Sequence, residues 1–406
     1  MNNLKIAYIT MQFPVPSETF ATNDVRALRK LGAEISVYGL RSAHPEMLKL
    51  LKERDLEDLI PSHKDFSFSL KRLKLILSRF LLLLDLYRWI VKVNWRRPEH
   101  LIKSLFLMSR SLEIFEQLNI DKPDVVHIYW GHYPSMVGYL VKRYMPNIPI
   151  TISLVAYDLE MGYEGTKWLV HYADKIRTLA DINVARINEL YNVPESQIEV
   201  IYDGVDIARL TPYLAEQNVP KRLISVGRLV GGKGMSDVLN IFAAIVSHHT
   251  EASLVILGDG PERTRFENQC SELGIAQSVV FAGHVNHDQV LQEMAKADLF
   301  IFMSKKKAER LPNVVKEAML AECICIVSNT MGIEELIPDE HYGFVVPMGD
   351  VEAAIEHALQ ALDPAFEGAS VQASAKRHIV ENFDLESSAN QYLTMWQQIV
   401  RSKSKL

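Results

Sequence analysis

The feature that most narrows the fold is an alternation of short strand-like and longer helix-like segments that runs along the chain, lapses and starts again. Residues 4–10 have the β-branched and aromatic content of a buried parallel strand. A loop with two prolines follows, then a helical pattern over 18–31 that stops at Gly32, then a second strand over 33–39. Further strands are expected at 123–128, 149–154, 182–185 and 198–201. Residues 203–220 hold turn formers and no long element, and read as a linker. The rhythm then resumes, with strands at 223–226, 253–257, 279–281, 299–302, 323–327 and 344–346, and a helical pattern after each of the first five. Such alternation predicts parallel sheets with helices on both faces. Two α/β halves fit better than one large sheet, with ligands expected in a cleft at the carboxyl ends of the strands.

Length agrees, since 406 residues are comfortable for two domains of about 150–200 each. The net charge of −6 argues against nucleic acid as a partner. Cys270, Cys323 and Cys325 offer neither a disulfide framework nor metal-ligand spacing, which fits a reducing cytosol. The N-terminal apolar run is too short for a signal peptide. The longest apolar stretch, 80–91, is broken by Asp85 and Arg88 and falls short of the roughly 18–20 residues of a membrane span. A soluble or surface-bound protein is expected.

Two local strings carry chemistry. In 223–239, LISVGRLVGGKGMSDVL, a strand runs into Gly227 and Arg228, then two glycines, Lys233 and Gly234, then a helix. Glycines allow a tight turn, a helix N-terminus presents free N–H groups to an anion, and Arg228 and Lys233 add positive charge. The string would suit a pyrophosphate; it is equally readable as a solvated basic turn. It is not a P-loop, because Gly234 rather than Ser or Thr follows the lysine. In 304–320, SKKKAERLPNVVKEAML, Pro312 suits the first turn of a helix, Glu309 precedes it and Glu317 lies inside it. The N–H groups of Asn313, Val314 and Val315 would be free for phosphate, and the two glutamates could accept from sugar and ribose hydroxyls. Taken alone, the pair also reads as two solvated surface glutamates.

Together these strings resemble family 4 of the retaining glycosyltransferases, which have the GT-B fold of two Rossmann-like domains facing across a cleft. The residues that carry the resemblance are Gly227-Arg228-Leu229, Lys233-Gly234, and Glu309 with Glu317 around Leu311-Pro312-Asn313-Val314. The strings 200–212, 257–263 with Gly260, 281–285, 331–337 and 342–350 agree with it. Residues 13–20, FPVPSETF with Ser17 and Glu18, resemble the opening loop of members that build bacterial surface polysaccharides such as exopolysaccharide, lipopolysaccharide or capsule.

The resemblance implies transfer of a sugar from a UDP- or GDP-sugar, as substrate, with no metal and no other cofactor. Arg228 and Lys233 would hold the diphosphate, Glu317 the ribose and Glu309 the donor sugar, with the base near His284 and Val285. The acceptor would be a glycan or a polyprenyl-diphosphate-linked sugar. Residues 1–208 would bind it and 209–385 the donor, while 386–406 would pack back on the first domain. The setting would be the cytosol, at the inner face of the membrane.

Two positions depart from the family pattern. Val155 stands where many relatives have a histidine, and valine cannot hydrogen-bond a sugar. His132 could substitute from a neighbouring loop, or be a satisfied surface or capping histidine. Arg310 replaces a common glycine; it could select an acidic or phosphorylated group, or turn away to solvent. The alternative these changes open is a nucleotide-sugar-binding protein with impaired catalysis.

Residues 45–118 form a helical insert outside the resemblance. Within it, 69–110 interleave ten Lys and Arg residues, from Lys71 to Arg110, with Leu, Ile, Phe and Trp. An interfacial helix bound to an anionic membrane would look like this, with Trp89 and Trp95 at headgroup depth. Plain packing on the sheet with a charged outer face is the other reading.

Overall fold

A computed structural model describes residues 3–16, 18–63, 78–213, 219, 221–306 and 308–404. The chain divides into two compact units, Met1–Gly204 with Leu385–Leu406, and Val205–Asp384.

The first unit is built on a six-stranded sheet in the order β2-β1-β3-β4-β5-β6. Its strands are β1 (Lys5–Thr10), β2 (Glu34–Gly39), β3 (Val125–Tyr129), β4 (Ile150–Ser153), β5 (Lys175–Thr178) and β6 (Ile198–Val200), every pairing parallel. Parallel strands need a crossover each, and helices buried against both faces supply them. The chain leaves β1 toward β2 on one side and returns through β3 on the other, so the order reverses between β1 and β3. The helix Leu385–Lys403 joins this unit, burying Tyr392 and Trp396, and Trp396 Nε1 donates to Thr151 Oγ1 at 3.1 Å.

The second unit repeats the plan in the order β12-β11-β10-β7-β8-β9. Its strands are β7 (Arg222–Val226), β8 (Ser253–Leu257), β9 (Val279–Gly283), β10 (Leu299–Phe302), β11 (Ile324–Ser328) and β12 (Phe344–Val346), again all parallel. Here the reversal lies between β7 and β10.

The segment 182–185, expected as a strand, is the first turn of the helix Ile182–Tyr191. Its buried residues Asn183, Ile187 and Tyr191 recur every four positions, a helical period. The strand is β5, Lys-Ile-Arg-Thr, whose Arg177 is completely buried. Its guanidinium donates to Ile201 O at 2.8 Å and to Asp203 Oδ1 at 2.5 Å, so a sheet interior accepts a charge that in sequence reads as solvent-facing. After β11 there is a single 3₁₀ turn, Ile333–Glu335, rather than a full helix. The linker region holds a short helix, Ile207–Leu210, with Asp206 capping it through Arg209 N.

The helical insert is Met47–Glu53, Phe80–Asn94 and Pro98–Asp121 among the described residues; 64–77, with Lys71, Arg72 and Lys74, lie outside them. Two residues assigned to its outer face belong to the core. Trp89 is 6% exposed and stacks on Tyr139 with centroids 4.6 Å apart. Arg110 is buried and donates to Gly39 O at 3.0 Å and Ser62 O at 2.9 Å.

Candidate functional site

In an open α/β sheet, the loops at the strand-order reversal splay to opposite faces and leave room for a ligand at the carboxyl ends. In the second unit that place lies beyond Val226 of β7 and Phe302 of β10, where the two singled-out strings begin.

The turn after β7 is fixed by close backbone contacts. Gly234 sits at φ +73° as N-cap of the helix Met235–His248, and a Cβ there would lie 1.8 Å from Met303 O. Only glycine allows the turn to cross the end of β10 so closely. A Cβ on Gly260 would meet Leu229 O at 2.3 Å, so Gly260 serves the packing of the β7 and β8 loops on each other. At Gly227, by contrast, a Cβ would meet nothing within 4 Å. Space is open there.

Lys233 and Glu309 come together. Lys233 Nζ donates to Glu309 Oε2 at 2.6 Å, and Ser304 Oγ donates to the same oxygen at 3.0 Å. Both charged side chains are 17% exposed, so they are partly shielded from water. Lys306 lies on the same turn, its Cγ 3.4 Å from where a Gly232 Cβ would stand, while Lys305 N donates to Gly232 O at 2.8 Å. Burial lowers the Lys306 ammonium from its ordinary pKa, and the neighbouring cations Lys233 and Arg228 push it the same way. Arg228 is exposed and, among the described residues, is in no ion pair. Three cations therefore converge on one open turn with one carboxylate among them, a charge pattern that an anion would complete.

Glu317 stands on the helix Asn313–Leu320, to which Pro312 is N-cap. Asn313 and Val314 open the helix with N–H groups that have no intrahelical acceptor. Glu317 Oε1 is 2.8 Å from His287 Nε2. Burial works to lower the His287 pKa, but the Glu317 carboxylate outweighs it and the net direction is upward. His287 opens the helix His287–Met294, where Asn286 and Gln289 form a capping box that fixes its place. His284 is exposed and Val285 half-buried just beyond β9. Arg310 is 7% exposed and its Nη1 donates to Glu309 O at 3.4 Å, which excludes the solvent-facing orientation.

The sequence reading missed Ser304, Lys306 and His287. The first two stood in a quoted string, but lysines in a row read as solvated; His287 had no pattern to single it out.

The reversal in the first unit gathers the residues after β1 and β3. Glu18 is largely buried, and burial raises its carboxyl pKa against the opposing pull of a Trp130 hydrogen bond and of His132, Arg54 and Arg41. Trp130 holds φ +78°, a strained conformation for a bulky residue and one that concentrates at functional sites. His132 Nδ1 is 3.5 Å from Asp158 Oδ1 and, among the described residues, has no hydrogen-bond partner. Asp158 instead accepts from Gly131 N at 2.9 Å and Val155 N at 3.3 Å, so buried Val155 is the N-cap of the helix Ala156–Met161. Ser17 lies outside the described residues.

Known proteins carry these features. Residues 210–376 match the family model for glycosyl transferases group 1. The chain is 25% identical over 312 residues to N-acetyl-alpha-D-glucosaminyl L-malate synthase of Bacillus anthracis, covering 73% of this chain and 80% of that protein. It is 22% identical over 374 residues to the putative colanic acid biosynthesis glycosyltransferase WcaL of Escherichia coli K12, covering 86% and 88%. In fold it is similar to Anabaena Alr3699/HepE, solved in complex with UDP, with a TM-score of 0.69 at 15% identity over 99% of this chain and 100% of that one. The chain belongs to the group 1 glycosyl transferases, and its fold is GT-B.

Proposed function

We propose that the protein transfers a sugar from a nucleoside-diphosphate sugar to a glycan or polyprenyl-diphosphate-linked acceptor in bacterial surface polysaccharide synthesis, with retention of configuration. The observation that carries this is the convergence of Arg228, Lys233 and Lys306 around Glu309 on the turn between β7 and β10. The UDP held by the similarly folded HepE supports a nucleotide at such a turn, and the name of WcaL supports the polysaccharide setting.

In this reading the diphosphate binds Arg228 and Lys233, and the N–H groups of Asn313 and Val314 lie within the same binding region. The diphosphate takes the Lys233 ammonium from Glu309, which turns to the hydroxyls of the donor sugar. Glu317 accepts from the ribose, held in place by His287. The acceptor oxygen bonds to the anomeric carbon on the face the diphosphate leaves, and its proton passes to the departing diphosphate. Side-chain cations aimed at developing charge supply the stabilisation that such a step needs, with no metal in this scheme. The first unit holds the acceptor near Glu18 and His132. The work is placed in the cytosol, at the inner face of the membrane.

Val155, capping a helix where a sugar-binding histidine would stand, keeps one other reading in view: a protein that binds the donor without transferring it. One experiment separates them. Release of nucleoside diphosphate is followed with a panel of UDP- and GDP-sugars and lipid-linked acceptors, for the wild type and Glu309→Gln. Transfer predicts acceptor-dependent release that Glu309→Gln reduces by about 10²-fold or more, in line with the loss of a catalytic contact. Binding of every donor with release from none would leave only the binding protein.

A further inference from the structure

The helices Phe80–Asn94 and Pro98–Asp121 have one face in the core, through Leu86, Trp89, Ile90, Leu107 and Phe115. The other face is unusual. The exposed residues from 78 to 106 are Ser78, Arg79, Phe80, Leu81, Tyr87, Arg88, Lys92, Trp95, Arg96, Arg97, Pro98, Glu99, Ile102, Lys103 and Phe106. Six are cations, six are large apolar or aromatic residues, and one is an acid, giving +5 (six minus one) on a chain whose net charge is −6.

The apolar members are well exposed: Leu81 is 78%, Ile102 68% and Trp95 64%. Arg79 is tied to Glu116 and Lys103 to Glu99, while Arg88, Lys92 and Arg96 are in no ion pair among the described residues. The Arg96 guanidinium lies 4.7 Å over the Trp95 ring, leaving a cation and an indole side by side at the turn between the helices.

A protein partner of opposite charge would match the cations, and a second copy would match the apolar residues. An anionic lipid surface matches both at once: headgroup phosphates meet Arg and Lys while Trp, Phe, Leu and Ile enter the acyl boundary. We propose that this face docks the protein on the surface of an anionic bilayer. No helix among the described residues is long and apolar enough to cross a membrane, so the contact is made lying on it. The proposal does not rest on the donor site, which stands in the other unit.

The test uses the full chain with vesicles of phosphatidylcholine alone and of an equal mixture with phosphatidylglycerol. Sedimentation with the mixed vesicles at low salt, release at high salt and none with phosphatidylcholine alone are expected. One cation near an anionic surface is worth about a fivefold change in partitioning, so Arg88→Ser, Lys92→Ser and Arg96→Ser together should weaken binding about a hundredfold. Trp95→Ser with Ile102→Ser should also release the protein, with melting temperature and nucleotide binding unchanged in both variants. Wild type that stays in the supernatant with mixed vesicles overturns the proposal. So does undiminished sedimentation of the variants, or light scattering showing a dimer that these substitutions dissociate, since the face would then belong to a second copy.

Discussion

Lys233→Ala should weaken UDP binding by more than the loss of one contact, and Glu309→Gln should partly restore it. In the free protein the Lys233 ammonium neutralises Glu309 at 2.6 Å, with each side chain 17% exposed. A charge-assisted hydrogen bond to the diphosphate is worth about 1.5–3 kcal/mol, or roughly 10–150-fold in affinity. Removing Lys233 also leaves the Glu309 carboxylate, held by Ser304, without its cation beside the incoming diphosphate. Two unit charges about 6 Å apart at an effective dielectric near 20 repel by about 3 kcal/mol; Lys306 offsets part of this. The single variant should therefore lose about 10²–10³-fold, and the double variant should recover about tenfold of that loss. Isothermal titration with UDP at fixed ionic strength measures both. A Lys233→Ala protein that binds UDP within twofold of wild type would refute the reasoning, as would a double variant weaker than the single one.

Lys306→Ala should lower UDP affinity by about three- to tenfold, the scale of one partly screened charge contact, with a flatter salt dependence in the same titration. His287→Asn addresses pH. The His287 pKa is raised in the folded state above its ordinary 6.5, so its pairing with Glu317 stabilises fully below that value and is lost as pH rises through the folded one. The gap between wild-type and variant urea midpoints should thus be wide at pH 6 and narrow by pH 8.5; a gap that widens with pH would contradict the pairing. Gly234→Ala, at φ +73° with Met303 O in the way, should cost at least about 2 kcal/mol in a urea melt, beyond the 1–2 kcal/mol of the left-handed conformation alone.

The second unit was the more legible half, for a physical reason. Strands β8, β10 and β12 match the expected 253–257, 299–302 and 344–346 because each is a nearly pure apolar run between turn formers. Strand β5 was hidden because Arg177 is paired inside the sheet, and pairing across 26 residues leaves no local trace. Trp89 and Trp95 sit six positions apart in a leucine-rich stretch with weak polarity contrast. Only tertiary packing decides that one stacks in the core and the other faces out. Arg228, Lys233, Glu309 and Glu317 were legible because turn chemistry and spacing are local. Lys306 and His287 matter through what the fold sets beside them, and that is not a property of their own segments.

The most direct measurement of the central claim is thermal stabilisation of the full chain by UDP, GDP, ADP and CMP, with Lys233→Ala alongside. A ligand that binds only the folded state raises the melting temperature by mass action, by an amount equivalent to about 2.7 kcal/mol at a hundredfold excess over Kd. The account predicts that one nucleoside diphosphate stabilises the wild type strongly and the variant weakly. A folded wild type that no nucleotide stabilises at saturating concentration would contradict it.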